Sequence, residues 1–286
     1  MALIVGGDSF VGRATADHLA RREVGVITTT RHIGGADDRT AYLDLGRPLA
    51  GWVPPSGVGG ACICAAAARL ADCADDPVGT AHINVEQTLT LVDRLVAHDV
   101  FVVFLSSNQV FDGTLAHMPA HAAHCPVSEY GRQKAAAERS MIAKIEIGAP
   151  IAILRLAKVV SAEMPLVEHW KAALRSGDRV GAFSDMRVAP VPVDMVATAI
   201  ESLLSAHEPG IYQLSGPRDI TYLELARSLA AGIGADGSLV DATRATDIGL
   251  PVGATPLHTT LDSTAMRECS GISIPDIDEL IATRLA

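Results

Sequence analysis

Side chains of three types that can take part in proton transfer, tyrosine, lysine and serine, lie near the middle of the chain. Tyr130 and Lys134 form a Tyr-x-x-x-Lys pair, and the couplet Ser106-Ser107 ends an apolar stretch upstream. Residues four positions apart lie on one face of a helix, so a lysine ammonium is expected beside the phenol. The cation favours phenolate and lowers the tyrosine pKa from about 10, which suits it to general acid or base work. A serine hydroxyl of the couplet would then hold the substrate oxygen.

A glycine-rich turn opens the chain, with the sequence Gly-Gly-Asp-Ser-Phe-Val-Gly at residues 6–12. Its first glycine can take the tight turn after a strand, its last lets the next helix pack close to the sheet, and that helix N-terminus faces a diphosphate. Ser9 stands where the usual pattern has a glycine. Its hydroxyl can bond a phosphate oxygen, but its Cβ limits how close the backbone can come. With the Tyr-Lys pair downstream, the turn indicates a nicotinamide-dependent site that moves a hydride and a proton. The predicted cofactor-binding residues of the turn are Gly6, Ser9, Phe10, Val11 and Gly12.

The segment after the second predicted strand bears on the choice of cofactor. It reads Thr-Thr-Thr-Arg-His at residues 28–32. Enzymes that prefer NAD usually place Asp or Glu there to accept a hydrogen bond from the ribose 2′-hydroxyl. Arg31 can instead bind a 2′-phosphate, which predicts NADP(H) as the preferred cofactor and leaves NAD(H) open; a solvated loop arginine is the other interpretation. Asp44, after a short third strand, is placed to touch the adenine edge.

The composition excludes several classes of partner. A net charge of −10 and a pI of 5.4 argue against nucleic acid, because binding its backbone needs a basic surface. The mean hydropathy is +0.27, but the longest apolar stretches are far shorter than the ~20 residues of a transmembrane helix. The N-terminus has the pattern of a strand rather than of a signal peptide. These features predict a cytoplasmic protein with a small-molecule substrate and no membrane partner, and they leave a homodimer open.

The cysteines and histidines do not predict a metal site. The five cysteines are scattered, and Cys62 and Cys64 alternate in an apolar strand, so they are expected to be buried thiols on one side of a sheet. His117, His121 and His124 share the loop of residues 117–125, but no carboxylate lies among them. We expect a variable loop over the active site there rather than a metal centre.

The order of elements predicts an α/β fold. Short apolar strands alternate with helical segments in the first half, which indicates a Rossmann-type doubly wound parallel sheet buried on both faces. We predict a dinucleotide-binding domain over residues 1–156, completed by parts of 187–213. A smaller, mainly substrate-binding lobe is predicted over 157–286, with the active cleft between the two. The predicted strands are residues 3–5, 24–28, 42–43, 61–66, 100–105 and 151–156, and the predicted helices are residues 11–22, 78–98, 128–145, 165–175, 194–205, 222–231 and 274–285.

The chain resembles an extended short-chain dehydrogenase/reductase, and within that superfamily the dTDP-4-dehydrorhamnose reductase-like branch of the epimerase/dehydratase enzymes. Residues 65–77 resemble the branch's AAA-…-D-x-A-E-…-P segment and are followed by Asn84, SSNQVFDG at 106–113 resembles STDYVFDG, and YGRQK at 130–134 resembles YGKTK. The resemblance covers residues 1 to about 156 well and the rest in outline. The roles that it implies are catalysis for Ser107, Tyr130 and Lys134, and cofactor binding for Ala65, Ala66, Tyr130 and Lys134, with Lys134 on the nicotinamide ribose.

The substrate-binding residues are predicted with departures from the family pattern. Asn108 and Gln109, beside Ser107, replace the family's Asp-Tyr, and the Asp-Glu pair of sugar-nucleotide 4,6-dehydratases is missing, which argues against dehydration. Arg187 precedes Asp194 by seven residues, as does the arginine that grips the diphosphate in sugar-nucleotide epimerases. Lys158 follows the sixth strand at a substrate-facing position of the family. A surface role is the open alternative for both cations.

The resemblance implies an NADP(H)-dependent reductase that acts on a keto group of a sugar nucleotide, with hydride from NADPH and the proton from Tyr130. Two alternatives remain. An epimerase of the same family would need a tightly held cofactor, and such enzymes usually carry the acidic NAD residue that is missing here. A non-catalytic dinucleotide-binding regulatory subunit is disfavoured because Ser107, Tyr130 and Lys134 are all present.

Overall fold

A seven-stranded parallel sheet forms the centre of the computed structural model, which describes residues 1–248 and 255–286. Short two-stranded pairs lie outside that sheet. The strands, in chain order, are β1 Ala2–Val5, β2 Val26–Thr30, β3 Thr40–Tyr42, β4 Gly60–Ile63, β5 Phe101–Ser107, β6 Ile151–Leu156, β7 Val159–Val160, β8 Val180–Phe183, β9 Arg187–Val188, β10 Val191–Pro192, β11 Gly210–Leu214, β12 Ile220–Thr221 and β13 Val240–Thr243. The α-helices are α1 Phe10–Arg21, α2 Leu70–Asp75, α3 Pro77–Ala81, α4 Thr88–Val96, α5 Glu129–Glu146, α6 Pro165–Arg175, α7 Val193–Ala206, α8 Tyr222–Gly232, α9 Thr264–Ser270 and α10 Ile277–Leu280.

The strand order confirms the predicted fold class. Across the central sheet the order is β11-β6-β5-β4-β1-β2-β3, and every neighbouring pair is parallel. The direction in which strands are added reverses between β1 and β4. In open α/β sheets, ligands bind outside the carboxyl ends of the strands at such a reversal. The fold therefore places the expected crevice next to the glycine turn after β1.

The central sheet is buried on both faces, as its continuous apolar strands predict. Along β1, Ala2 and Ile4 pack into one apolar cluster, which α1, α7 and α9 cover, while Leu3 and Val5 pack into the opposite cluster under α4 and α5. A slip of one residue in a strand would exchange these two sets of side chains. The packing therefore fixes the register of the strand ends that carry the site.

The second, third and fourth predicted strands differ from the structure at their boundaries. The second strand begins at Val26 rather than at residue 24, because Glu23 adopts a φ of 59° in the turn that ends α1. This shift brings Arg31 directly after the strand. The third strand is Thr40–Tyr42 rather than residues 42–43, and the fourth ends at Ile63 rather than at residue 66.

The predicted helix over residues 78–98 is interrupted by the π-helical turn His82–Gln87. Helices α3 and α4 flank the turn, and the hydroxyl of Thr88 donates to the carbonyl of Ile83, five residues back, at 2.8 Å. The turn holds Asn84 in the interior at 1% exposure. Single π turns are frequent at functional sites because they re-aim one side chain.

The chain after residue 156 is divided between a lobe and the central sheet. A separate apolar cluster that includes Trp170 and Leu229 forms the lobe's core among β7, β8, β13, α6, α8 and α10. Helices α7 and α9 instead contribute to a cluster under the central sheet, and β11 pairs with β6. Helix α9 is absent from the predicted elements, and the predicted helix over 274–285 is α10 followed by a π-helical turn, Ile281–Leu285. The predicted domain limits stay a prediction.

No helix within the described residues combines the length and apolar character needed to cross a lipid bilayer. The cytoplasmic location and the homodimer considered from the sequence stay predictions.

Candidate active site

The glycine turn after β1 is built by close backbone contacts. Gly6 has a φ of 82°, and a Cβ at this position would lie 2.9 Å from Ala65. A Cβ at Gly12 would lie 2.2 Å from the carbonyl oxygen of Gly6. Both positions therefore require glycine. Ser9 caps α1: its Oγ accepts a hydrogen bond from the Gly12 N–H at 3.0 Å, which leaves the hydroxyl proton available to an anion.

A cavity of about 290 Å³ lies beside this turn at the carboxyl ends of β1 to β4. It brings the glycine turn together with the segments that follow β2, β3 and β4. Because the N-terminus of α1 attracts anions, these walls fit the adenosine diphosphate portion of a dinucleotide. The sequence-predicted cofactor residues that line the cavity are Gly6, Ser9, Arg31, Asp44, Ala65 and Ala66.

The other predicted cofactor residues of the turn lie outside that cavity. Phe10 and Val11 begin α1, where Phe10 is exposed and Val11 is half-buried.

Two residues of the cavity wall, Asp44 and Arg31, differ in their hydrogen bonds. Asp44 accepts a hydrogen bond from the Gly46 N–H at 2.9 Å. Arg31 is exposed at the cavity wall and has neither a hydrogen bond nor an ion pair with another residue that the structure describes. Its guanidinium is therefore free to bind a ligand.

The serine couplet lies at the carboxyl end of β5. Ser106 is buried, whereas Ser107 is half-buried at the last position of the strand. The Ser107 hydroxyl donates to Asn108 Oδ1 at 3.3 Å and accepts from the Gln109 N–H at 3.2 Å. Because successive side chains of a strand point to opposite faces, Ser107 and not Ser106 has the partly exposed hydroxyl at the strand end.

Helix α5 packs closely against the turn that follows Ser107. Its cap, Ser128, accepts from the Gly131 N–H at 3.0 Å and donates to Gln109 Oε1 at 3.1 Å. A Cβ at Gly131 would lie 2.1 Å from the carbonyl oxygen of Gln109. Only glycine permits this approach, which brings the first turns of α5, with Tyr130 and Lys134, to the end of β5.

Lys134 is held beneath the tyrosine by a carbonyl and two rings. Its Nζ donates to the carbonyl of Leu105 at 2.9 Å, and it lies 4.4 Å from the ring centre of Phe104 and 5.9 Å from that of Tyr130. Burial lowers the pKa of Lys134 to about 8. Burial, with a smaller contribution from Cys73, raises the pKa of Tyr130. In the free protein the pKa of Tyr130 is therefore raised rather than lowered, because burial disfavours the phenolate.

The π-helical turn connects the cavity wall after β4 to helix α5. Asn84 accepts from the Ala67 N–H at 2.8 Å and donates to the Ala67 carbonyl at 2.9 Å and to Gln133 Oε1 at 2.7 Å. Gln133 directly precedes Lys134. Asn84 thus ties the segment after β4 to α5, a role that the sequence pattern did not reveal because it depends on the π geometry.

A buried ion pair lies one turn beyond Lys134. Glu138 and Arg155 are 0% and 1% exposed, and the Arg155 guanidinium donates to Glu138 Oε2 through Nε at 2.9 Å and Nη2 at 2.6 Å. The ring of His124 approaches the same carboxylate oxygen at 2.9 Å. Burial alone would raise the pKa of Glu138, but the hydrogen bonds from His124 and Arg155 hold it below its ordinary value. The spacing of Tyr130, Lys134 and Glu138, each four residues apart, was the available sequence signal for this residue.

The same pair fastens the loop of residues 117–125 to the sheet. Arg155 Nη1 donates to the Ala120 carbonyl at 2.7 Å and to Gln213 Oε1 at 3.1 Å. Gln213 on β11 donates in turn to the carbonyls of Met118 at 2.8 Å and Asp262 at 3.2 Å. Across the described residues, no three or more His, Cys, Asp or Glu side chains form a group that could hold a metal. The loop is thus anchored through buried hydrogen bonds.

The predicted substrate-binding residues lie in three places. Asn108 and Gln109 form the turn after Ser107, where Gln109 is engaged by Ser128. Lys158 follows β6, and burial lowers its pKa. Arg187 lies on β9 in the lobe, exposed and opposite β12. The structure therefore groups the first two with Ser107 and leaves Arg187 on a separate element.

Solved structures share this fold across nearly the whole chain. The UDP-glucose 4-epimerase of Thermotoga maritima with UDP-glucose is 21% identical, with 98% of this chain and 96% of that chain covered and a TM-score of 0.78. The dTDP-4-dehydrorhamnose reductase of Bacillus anthracis with NADP is 15% identical, with 98% and 96% covered and a TM-score of 0.81. The dTDP-glucose 4,6-dehydratase of the same species with NAD is 14% identical, with 98% and 94% covered and a TM-score of 0.79. These likenesses show the fold. No curated protein matches the chain in sequence.

The doubly wound sheet, the glycine turn after β1 and the Ser, Tyr and Lys residues around the end of β5 define an extended short-chain dehydrogenase/reductase. The sequence profile of the RmlD substrate binding domain matches residues 1–286, and the chain belongs to this family. The resemblance stated from the sequence motifs is thereby confirmed.

Proposed function

We propose that the protein is an NADP(H)-dependent oxidoreductase that reduces a keto group of a sugar nucleotide. The observation that carries the proposal is the packing of α5 against the turn after Ser107, through Gly131 and Ser128. That packing brings Tyr130 and Lys134 to the strand end that bears Ser107. This strand, β5, neighbours β4, and the segment after β4 lines the cavity beside the glycine turn. Neither a binding module nor a regulatory subunit needs such a set of groups.

The proposed chemistry divides between the residues as follows. A reduced nicotinamide, when bound, supplies the hydride. Ser107 Oγ donates a hydrogen bond to the substrate carbonyl oxygen, and Tyr130 donates a proton to that oxygen as negative charge develops on it. The Lys134 ammonium, near the Tyr130 ring, stabilises the phenolate that is left.

The proposed substrate class rests on charge and on relatives. Lys158 and Arg187 are cations on the two sides of the cleft that we infer between sheet and lobe, and a nucleotide diphosphate is the anionic group that they suit. The epimerase relative was solved with UDP-glucose. The reductase relative was solved with NADP and the dehydratase relative with NAD. We infer NADP(H) as the preferred cofactor from the unengaged Arg31, and NAD(H) as the second.

The test is NADPH oxidation across a panel of nucleotide-linked ketosugars, after the cofactor content of the purified protein has been measured. A reductase turns over NADPH with at least one ketosugar, whereas an epimerase carries tightly bound dinucleotide and interconverts sugars without net oxidation. Tyr130→Phe keeps the ring and should reduce turnover by about 10²–10⁴ while NADPH still binds. Wild-type turnover in Tyr130→Phe would refute the assignment of the proton donor. Binding of NADPH without turnover of any ketone would favour the regulatory subunit.

A further inference from the structure

The glycine turn supplies an acidic group to the end of β2, where the sequence shows none. Asp8 Oδ2 accepts a hydrogen bond from the Thr30 hydroxyl at 2.6 Å. Thr30 is the last residue of β2, and its oxygen also accepts from the His32 N–H at 3.2 Å, so its proton is directed to Asp8. The carboxylate therefore lies at the position along the sheet where NAD-dependent enzymes place their acidic residue, but it comes from a different strand end.

Local structure does not account for this carboxylate. The residue that caps α1 is Ser9, so the Asp8 side chain is not used to cap the helix. The Asp8 carbonyl accepts from the Arg13 side chain at 3.3 Å, which helps to hold the turn. Asp8 and Arg31 both line the cavity beside the glycine turn. The cavity thus presents the carboxylates of Asp8 and Asp44 and the free guanidinium of Arg31 to the same ligand.

We propose that Asp8 is a cofactor-selectivity residue that counteracts Arg31, an inference that rests on the proposed dinucleotide-dependent function. Its carboxylate repels a 2′-phosphate, which carries nearly two negative charges, and it accepts a hydrogen bond from a ribose 2′-hydroxyl. Arg31 does the reverse. The ratio of NADPH to NADH affinity is set by the balance of the two side chains, and it is smaller than Arg31 alone would give.

The test compares dissociation constants of NADPH and NADH for the cofactor-free full chain by isothermal titration calorimetry. Asp8→Asn keeps the shape and an acceptor for Thr30 but removes the charge. It should raise the ratio of NADPH to NADH affinity by about tenfold, which is the order of effect of one like-charge contact at the cavity wall. This increase in the affinity ratio should be smaller at high salt, because ions screen the charge of Asp8. Asp17→Asn is the matched control, because it removes the same charge from an exposed position of α1; it should change both affinities by less than twofold and leave their ratio unchanged.

A second variant keeps the inference testable if Asp8→Asn folds poorly. Asp8→Ser has a short side chain whose hydroxyl can also bond Thr30, and it should raise the ratio similarly. An unchanged or lower ratio in the folded variants would overturn the role of Asp8 while both dinucleotides still bind to the wild type. If the wild type binds neither dinucleotide, the proposed function fails instead, so the two failures are distinguishable.

Discussion

The buried pair of Glu138 and Arg155 allows a quantitative test of how the loop of residues 117–125 is held. The perturbations are Glu138→Leu, Arg155→Leu and the combination of both. Glu138→Leu leaves a guanidinium that is 1% exposed without its carboxylate, and Arg155→Leu leaves a carboxylate that is 0% exposed without its cation. Breaking such a pair costs about 3–5 kcal/mol, because an uncompensated charge stays buried.

The double variant retains no buried charge from the pair. Its remaining cost comes from the groups that lose a partner. The Ala120 carbonyl and Gln213 Oε1 lose Arg155, and the His124 ring loses Glu138. An unsatisfied buried acceptor costs about 1–3 kcal/mol. The double variant should therefore lose about as much unfolding free energy as Glu138→Leu alone, because it leaves no unpaired buried charge. If the two single effects were independent, the loss would be about twice as large.

Urea unfolding followed by tryptophan fluorescence measures these differences. Glu146→Leu, an exposed glutamate at the end of the same helix, is the control and should change the free energy of unfolding by no more than about 0.5 kcal/mol. Strictly additive losses in the double variant would refute the reasoning, because they would mean that Glu138 and Arg155 stabilise the fold independently.

The remaining predictions concern the cofactor and the chemistry. Arg31→Ala should lower the ratio of NADPH to NADH affinity by about tenfold to a hundredfold, since a charge-assisted contact contributes about 1.5–3 kcal/mol, and an unchanged ratio in a titration would contradict this. Lys134 loses its charge as the pH rises through its lowered pKa of about 8. The kcat/KM for ketosugar reduction should therefore fall above that pH in initial-rate measurements, and a flat profile to pH 10 would count against the role of the lysine. Ser107→Ala should reduce kcat less than Tyr130→Phe, because it removes one hydrogen bond and not the proton. Lys134→Ala combined with Tyr130→Phe should lose little more than Tyr130→Phe alone, since both residues serve one proton transfer.

The fold was predictable where the sequence pattern is local. The predicted strands 100–105 and 151–156 agree closely with β5 and β6, because each is a continuous apolar run. The lobe's two-residue strands, such as β9 and β12, have no period of their own and form only by pairing across 32 to 34 residues, as in Ile220 with Val188 and Thr221 with Arg187. Such strands are set by tertiary contacts, which local patterns do not encode.

The candidate site shows the same difference between what local spacing predicts and what depends on long-range contacts. Tyr130 and Lys134 could be related from their spacing because one helix carries both. The role inferred for Asp8 depends on Thr30, 22 residues away, and that of Asn84 on Gln133, 49 residues away. A glycine-turn aspartate without its partner has the sequence signature of an ordinary helix start. Contacts of this range become visible only in the folded chain.

The anchoring of the loop through Gln213 has a consequence for the order of events during synthesis. Met118 lies 95 residues before the glutamine whose side chain holds its carbonyl, and Asp262 lies 49 residues after it. At about 5–20 residues per second, the ribosome takes roughly 5–20 s to reach Gln213 after Met118. From the synthesis of Arg155 until that of Gln213, 58 residues later, the nascent chain carries the Arg155 guanidinium without one of its final acceptors. Completion of the edge strand β11 is thus a late step in closing this end of the sheet.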